Sequence, residues 1–397
     1  MPSPLTTSDR PRLFLLDGMA LAYRAHFALM RSPLTTSKGQ PTSAVFGFLA
    51  ALDRLRDQEA PEEIVVVFDA PEPTFRHKAY PDYKATREKM PDEMIPQLAW
   101  IQRAVEGEGL PFLRVPGWEA DDVIGALARQ GAEAGRDVWI VSGDKDMYQL
   151  VGDHVKLYNV MKPGQAEVHI VDRAAVEEKF GVPPERVIDV LALMGDTSDN
   201  VPGVPGVGPK RATELITTWG GLDDVLEHTD EIKQKKLKQN LVEFADQARL
   251  SRDLVTIDVH APVTLEELAQ EEPSTEALRD LYMELEFQAR LDALDSGDQG
   301  LGDVRYHLVD GPAKLDALVK ALARQKATDG FVVDTETTAV DPMRADLVGL
   351  SFAWEEGEAY YVPCNLVPPM FGGGTKRGQA SGRLFDAGTG QDTDAVL

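Results

Sequence analysis

Arg-Leu-Phe-Leu-Leu-Asp-Gly at residues 12–18 runs through four apolar side chains and stops on a carboxylate. The same cadence returns in Ile-Val-Val-Val-Phe-Asp (64–69) and in Val-Trp-Ile-Val-Ser-Gly-Asp-Lys-Asp (138–146). Short unbroken apolar runs with β-branched residues read as strands buried on both faces. Further strands are expected near 112–115 and 155–160, with helices near 41–58, 93–107, 120–134 and 173–179. Strands alternating with helices predict an α/β domain with a mainly parallel sheet covered by helices. In such open sheets, ligands bind in the crevice outside the carboxyl ends of the strands. Asp17, Asp69, Asp144 and Asp146 all fall at those ends.

Two more acidic groups join them. Glu119, Asp121 and Asp122 open the helix expected at 120–134, where the positive end of the dipole tolerates anions, and Asp196 and Asp199 are three apart. Acidic residues at helix starts and turns often just face water. Five clusters in one 200-residue stretch, mostly at strand ends or helix starts, argue instead for a shared crevice. Hard oxygen ligands suit Mg²⁺ or Mn²⁺, and so many anions call for two ions. Two ions a few Å apart suit in-line displacement at a phosphodiester.

The chain has 397 residues with 43% hydrophobic content, enough for two domains and part of a third. Its one cysteine, Cys364, excludes an intrachain disulfide and fits a reducing cytoplasm. No apolar run approaches the roughly 18 residues of a membrane span, and Asp17 breaks the N-terminal run too early for a signal peptide. A soluble cytoplasmic monomer with no membrane partner is expected. The net charge of −25 speaks against a general nucleic-acid surface, but its distribution matters. Residues 1–257 carry 40 acidic and 30 basic side chains, and without the nine clustered carboxylates they are close to neutral.

Phosphoryl chemistry also needs cations on the substrate side. Between Asp69 and Met94 lies a basic, aromatic, proline-containing stretch with Arg76, Lys78, Lys84 and Arg87. Lys84 and Arg87 would share a face if that stretch is helical. From 183 to 252 the pattern is all-helical, interrupted by Gly203-Val-Pro-Gly206-Val-Gly208-Pro-Lys210-Arg211. Glycines allow a tight turn, and the following helix start offers free N–H groups to a phosphate, with Lys210 and Arg211 alongside. This is a helix–hairpin–helix pattern for gripping a duplex backbone; it lacks the Gly-Lys-Ser/Thr ending of a nucleotide-binding P-loop. Lys233, Lys235, Lys236, Lys238, Arg249 and Arg252 form either a second phosphate track or a solvated face. Asp334-Thr-Glu336 repeats the strand-end pair further along.

The domains are set at 10–182 for the catalytic unit and 183–290 for the hairpin subdomain. A polar linker follows at 291–303, then a fragment at 304–364 with strands at 330–338, 347–354 and 359–363. A low-complexity, disordered tail is expected at 365–397.

Leu-Asp-Gly…Ala-Tyr-Arg, Val-Phe-Asp, Phe-Arg-His-Lys-Ala-Tyr…Tyr-Lys, Glu-Ala-Asp-Asp, Gly-Asp-Lys-Asp-Met-Tyr-Gln-Leu and Gly-Asp-Thr-Ser-Asp-Asn-Val-Pro-Gly-Val-Pro-Gly-Val-Gly together resemble the 5′-nuclease domain of bacterial DNA polymerase I. The resemblance spans roughly residues 10–290. It implies a PIN-like fold with a helical arch, and 5′→3′ exonuclease and flap endonuclease activity on DNA or RNA primers. It implies metal ligands at Asp17, Asp69, Glu119, Asp121, Asp122, Asp144, Asp146, Asp196 and Asp199. Lys84 and Arg87 would steer the scissile phosphate, with Arg76, Tyr23 and Arg24 on the substrate path. The hairpin of such proteins commonly holds a K⁺ against a DNA phosphate. Residues 304–363 resemble the start of a 3′→5′ proofreading domain of ribonuclease-H-like fold; no later proofreading motif follows, so neither proofreading nor polymerisation is expected of this chain. Two rivals stand beside this reading: a PIN-like ribonuclease acting on free RNA, and a non-catalytic DNA-junction binder.

Overall fold

Leu13, Phe14, Leu15 and Leu16 are each no more than 1% exposed, because the first strand runs through the middle of a sheet. In the computed structural model the described residues are 9–159, 168–298, 305–325, 330–338, 345–355 and 358–364. The chain divides into two units, Met1–Leu291 and Asp292–Leu397.

Six strands build the sheet of the first unit: β1 (Arg12–Asp17), β2 (Glu63–Val67), β3 (Phe112–Leu113), β4 (Asp137–Val141), β5 (Val155–Asn159) and β6 (His169–Val171). Their spatial order is β3-β2-β1-β4-β5-β6. All neighbours are parallel except β5 and β6. The strand order runs outward from β1 in both directions, so the switch point lies between β1 and β4, where the crevice of an open sheet forms. Leu16 pairs with Val141, which sets Asp17 beside Ser142 at the mouth of that crevice.

The helices of this unit are α1 (Gly18–Ala28), α2 (Ser43–Glu59), α3 (Phe75–Ala79), α4 (Ile95–Gly107), α5 (Ala120–Glu133), α6 (Arg173–Phe180), α7 (Val187–Met194), α8 (Pro209–Trp219), α9 (Leu222–Glu227), α10 (Lys235–Glu243), α11 (Ala245–Val255) and α12 (Thr275–Glu284). Helix α1 has no counterpart in the sequence expectation, since no loop separates it from β1. Asp17 itself caps it by accepting from Ala20 N at 2.9 Å. Gly18 makes the abrupt turn possible, because a Cβ there would overlap the Phe68 ring. At α2 the N-cap Thr42 gives no side-chain bond. The buried Gln97 of α4 replaces it, accepting from Ala44 N (2.7 Å) and Val45 N (3.2 Å).

A four-stranded sheet forms the second unit: β7 (Arg305–Leu308), β8 (Val332–Thr337), β9 (Leu347–Glu355) and β10 (Glu358–Pro363), in the order β7-β10-β9-β8. The polar linker expected at 291–303 begins inside α13 (Gln288–Asp298), where Ala, Leu, Gln and Arg are good helix formers. The one helix of the second unit clear of the boundary, among the described residues, is α14 (Pro312–Gln325). It places Leu315, Leu318 and Leu322 on Val309, Leu350, Phe352 and Val362. The tail from 365 lies outside the described residues. Among the described residues no helix is long and apolar enough to cross a membrane.

Candidate metal and nucleic-acid site

Two groups of carboxylates meet at the switch point. The first comprises Asp17, Asp69, Asp121 and Asp144. Asp17 Oδ2 accepts from Ser142 Oγ at 2.9 Å, while Asp69 Oδ1 accepts from Ala120 N at 2.9 Å at the start of α5. Asp144 donates its N–H to Ser142 Oγ (3.1 Å) and accepts from Asp146 N (2.9 Å), so the turn after β4 folds back on itself. Burial pushes the Asp17 carboxyl up to about 6; its bonds to Ala20 and Ser142 oppose this, and repulsion from Asp69 and Asp144 adds to it. Asp121 is raised well above its usual range by burial and then by Asp144, Asp17 and Asp69. Four acids acting on one another in this way share one pocket.

Asp146, Asp196 and Asp199 form the second group, each offering an oxygen within 4.8 Å of the others. Burial, then Asp144, Asp196 and Asp199, pushes the Asp146 carboxyl up to about 8. Asp144 therefore acts on both groups. The loop that delivers Asp196 and Asp199 is closed by Asp196 N to Val201 O (2.9 Å) and Val201 N to Asp196 O (2.7 Å). Gly203 permits that closure: its φ is +59°, and a Cβ would collide with the backbone of Gly195. Asp146 Oδ1 is buried with no hydrogen-bond partner. Asp146 thus has a buried oxygen without a protein partner and converges with two further carboxylates, a donor set that fits a hard divalent cation.

Cations line the same crevice. Lys84 Nζ lies 3.0 Å from Glu119 Oε2 and 3.8 Å from Asp199 Oδ2. Arg87 reaches Asp199 Oδ1 through Nε at 3.0 Å, and the buried Tyr83 hydroxyl lies 3.2 Å from both Glu119 and Asp199. Lys84 and Arg87 do not sit on a helix. The segment is a run of turns in which Lys84 takes φ +59°, and the helix of the expected arch is confined to α3 between Asp69 and Met94. Asp82-Tyr-Lys-Ala packs instead on the Asp199 loop, through Lys84 N to Asp199 O (2.9 Å) and Asn200 Nδ2 to Asp82 O (2.7 Å). Sequence reasoning missed Tyr83 and Lys145, whose Nζ is 2.9 Å from Asp196. Lys145 was visible between Asp144 and Asp146, and Tyr83 stood in the Tyr-Lys pair of the family motif without a role assigned to it.

Arg76 and Asp122 are placed differently from the other cations and carboxylates. Arg76 is only 2% exposed and Asp122 is fully buried. They bind each other bidentately, both bonds at 2.7 Å. Arg76 therefore does not face an open substrate path, and Asp122 spends its charge inside the protein.

On the outer side, Gly206 takes φ +79° and Gly208 caps α8 with open space around its Cα. Lys210 is exposed and Arg211 half-buried. Tyr23 and Arg24 are half-buried on α1. Tyr23 stacks on the exposed Phe27 with centroids 6.2 Å apart, and the charges of Arg87 and Asp69 act on its phenol. Half of the second basic track is engaged with protein partners: Lys238 pairs with Asp230, and Arg249 and Arg252 pair with Asp223.

This geometry gathers carboxylates and cations in one crevice. Residues 12–181 match the 5′-3′ exonuclease N-terminal resolvase-like domain, and residues 182–276 match the 5′-3′ exonuclease C-terminal SAM fold. The chain belongs to the 5′-3′ exonuclease family. It is 45% identical over 371 residues to DNA polymerase I of Pseudomonas aeruginosa, covering 88% of this chain and 40% of that protein. To DNA polymerase I of Bacillus subtilis it is 37% identical over 367 residues, covering 90% and 40%. The chain thus spans about 40% of the length of these curated relatives. Zinc-bound T5 5′-exonuclease shares the fold with a TM-score of 0.53 at 21% identity, covering 72% of this chain and 98% of that one. The catalytic core of Rad2 in complex with DNA substrate does so with a TM-score of 0.51 at 16% identity, covering 74% and 94%.

Proposed function

We propose that the first unit hydrolyses phosphodiesters at the 5′ ends of flapped, nicked or primer-bearing duplexes, in a cell's replication and repair. The observation that carries this reading is the convergence of two carboxylate groups around Asp144 and Asp146, with a buried oxygen of Asp146 lacking any partner. Asp17, Asp69, Glu119, Asp121 and Asp144 would hold one Mg²⁺ or Mn²⁺, and Asp146, Asp196 and Asp199 a second. Bound there, the ions supply the positive charge and Lewis acidity that ease attack of water on a phosphodiester.

The chain's own residues do the rest. Lys84 and Arg87 lean on Glu119 and Asp199. A substrate phosphate competes for the same cations, so both side chains are placed to pass from carboxylate to phosphate oxygen and to stabilise its developing charge. Gly206, Gly208 and the start of α8 present backbone to a duplex phosphate, with Lys210 and Arg211 beside it. K⁺ at this hairpin belongs to the same proposal. Tyr23, Arg24 and the exposed Phe27 would contact the strand that carries the 5′ end; Tyr23 is near enough to Arg87 and Asp69 for their charges to act on its phenol.

One assay tests the reading. The full chain is incubated with a 5′-flap duplex and, separately, with single-stranded RNA, each with Mg²⁺ or with chelator. Cleavage of the flap alone, and only with Mg²⁺, is expected. Binding without cleavage would make the chain a junction binder, and preferential cleavage of RNA would make it a ribonuclease.

A further inference from the structure

Arg76 and Asp122 invite the roles of phosphate ligand and metal ligand, yet neither has an atom left for them. Arg76 Nε donates to Leu254 O (2.9 Å), one terminal nitrogen donates to Asp122 Oδ1 (2.7 Å) and Thr256 O (2.6 Å), and the other donates to Asp122 Oδ2 (2.7 Å) and lies 3.4 Å from Glu119. Four guanidinium N–H groups donate to protein oxygens, and the nitrogen that carries the fifth is ion-paired with Glu119. Asp122 also accepts from Asp258 N (2.9 Å) and Glu119 N (3.3 Å), which fills the sites of both its oxygens.

The partners of this pair come from three places. Arg76 belongs to α3 beside the basic segment, Asp122 to the first turn of α5 beside Glu119, and residues 254–258 close α11. Helix α11 is in turn tied to the glycine hairpin, since Gln247 Nε2 donates to Gly203 O (2.6 Å) and Gly203 N donates to Ser251 Oγ (3.0 Å). The same 254–258 segment grips the second carboxylate group as well. Gln149 donates to both Asp146 O and Val255 O at 2.9 Å, and accepts from Ile257 N at 2.9 Å. A chain of buried and half-buried hydrogen bonds therefore runs from the hairpin through α11 to Glu119 on one side and Asp146 on the other.

We infer that Arg76 and Asp122 are a positioning pair that fixes the duplex-gripping hairpin relative to the carboxylate centre, touching neither DNA nor metal. The inference rests on the nuclease reading above. A bidentate ion pair suits such a role, because it holds its partners in one geometry and removing either half leaves an uncompensated buried charge. Reactions that depend on in-line alignment are sensitive to shifts of about 1 Å, worth about 100-fold in rate.

The test compares Arg76→Gln, Asp122→Asn, the double variant and Arg76→Lys in the full chain. Four readouts are taken: single-turnover cleavage of a saturating 5′-flap duplex, flap affinity in chelator over a range of salt, the Mn²⁺ concentration for half-maximal rate, and melting temperature. Both single variants are expected to lose about 100-fold in rate. Flap affinity, its salt dependence and the Mn²⁺ requirement should stay within about threefold of wild type, since neither residue touches DNA or metal. The double variant should be no slower than the worse single one and should melt above both, because a neutral amide pair replaces a lone charge. Arg76→Lys keeps the charge and guards against simple misfolding; it should melt above Arg76→Gln while still cleaving slowly. Loss of flap affinity with a flatter salt dependence in Arg76→Gln alone would make Arg76 a phosphate ligand. A raised Mn²⁺ requirement in Asp122→Asn alone would make Asp122 a metal ligand. Either result overturns the pairing, as do additive rate losses in the double variant. An inert wild type would instead sink the nuclease reading itself.

Discussion

Two acidic pairs in this chain look alike in sequence and differ in everything around them. Asp144 and Asp146 follow a central strand of the first unit; Asp334 and Glu336 lie within β8 of the second, two residues apart in both cases. Around the first pair, separate segments bring Asp17, Asp121, Asp196 and Asp199 into the same crevice, and burial with mutual repulsion raises Asp146 to about 8. In the second unit β8 is exposed along its whole length, and Asp334 accepts from the neighbouring Thr335 N at 2.9 Å. Among the described residues, the one group of three convergent ligands is that of Asp146, Asp196 and Asp199. A strand-end pair becomes a cation site when the topology delivers further carboxylates to it.

That comparison sets the expected ranking of effects. The largest belongs to Asp146→Ala. Its removal takes away the ligand whose oxygen has no other partner, and single-turnover cleavage of a 5′-flap duplex should fall about 1,000-fold or more, several kcal/mol of barrier. Flap affinity in chelator should hold. Next comes Lys84→Ala, which should slow the same step by about 100- to 1,000-fold through loss of a cation on the phosphate; an unchanged rate would remove Lys84 from the chemistry.

A smaller effect concerns pH and metal together. Asp17 and Asp146 rise from 3.8 to about 6 and about 8 in the folded chain, so the folded state holds their protons more tightly than the unfolded one. Their contribution to stability is full below pH 4 and is lost as pH rises through 6 and then 8. Melting curves of the chelated protein should therefore shift downward between pH 5 and pH 8.5 on their account, and Mg²⁺ should restore more at the upper end than at the lower. Equal Mg²⁺ stabilisation at both pH values would contradict the assigned repulsion. The smallest effect is that of Asp334→Ala with Glu336→Ala, which should leave flap cleavage unchanged and shift stability by no more than about 0.5 kcal/mol, as exposed substitutions do.

Much of the frame was legible in the chain. The strand-end carboxylates could be read because a parallel sheet buries its strands on both faces and releases polarity only at their ends. The apolar run that stops on Asp17 is β1, and β5 covers Val155–Asn159 of the stretch expected near 155–160. α1 escaped because Asp17 serves as strand end and helix cap at once, leaving no loop to mark the change. Lys84 and Arg87 were placed at the centre, but their backbone was not. Their turn is held by contacts to Asp199 and Asn200 more than 100 residues away, which no local spacing encodes. For the same reason Arg76 and Asp122 looked like ligands: burial of a charge by a partner 46 residues distant leaves no trace in composition.

The central claim is that the first unit's acids form a site for divalent cations. It is tested most directly by titrating the full chain with Mn²⁺ and counting the ions bound, for wild type, Asp146→Ala and Asp334→Ala. The account predicts two bound ions in the wild type, the loss or marked weakening of one in Asp146→Ala, and no change in Asp334→Ala. No binding to the wild type, or a count that falls in Asp334→Ala and holds in Asp146→Ala, would contradict it.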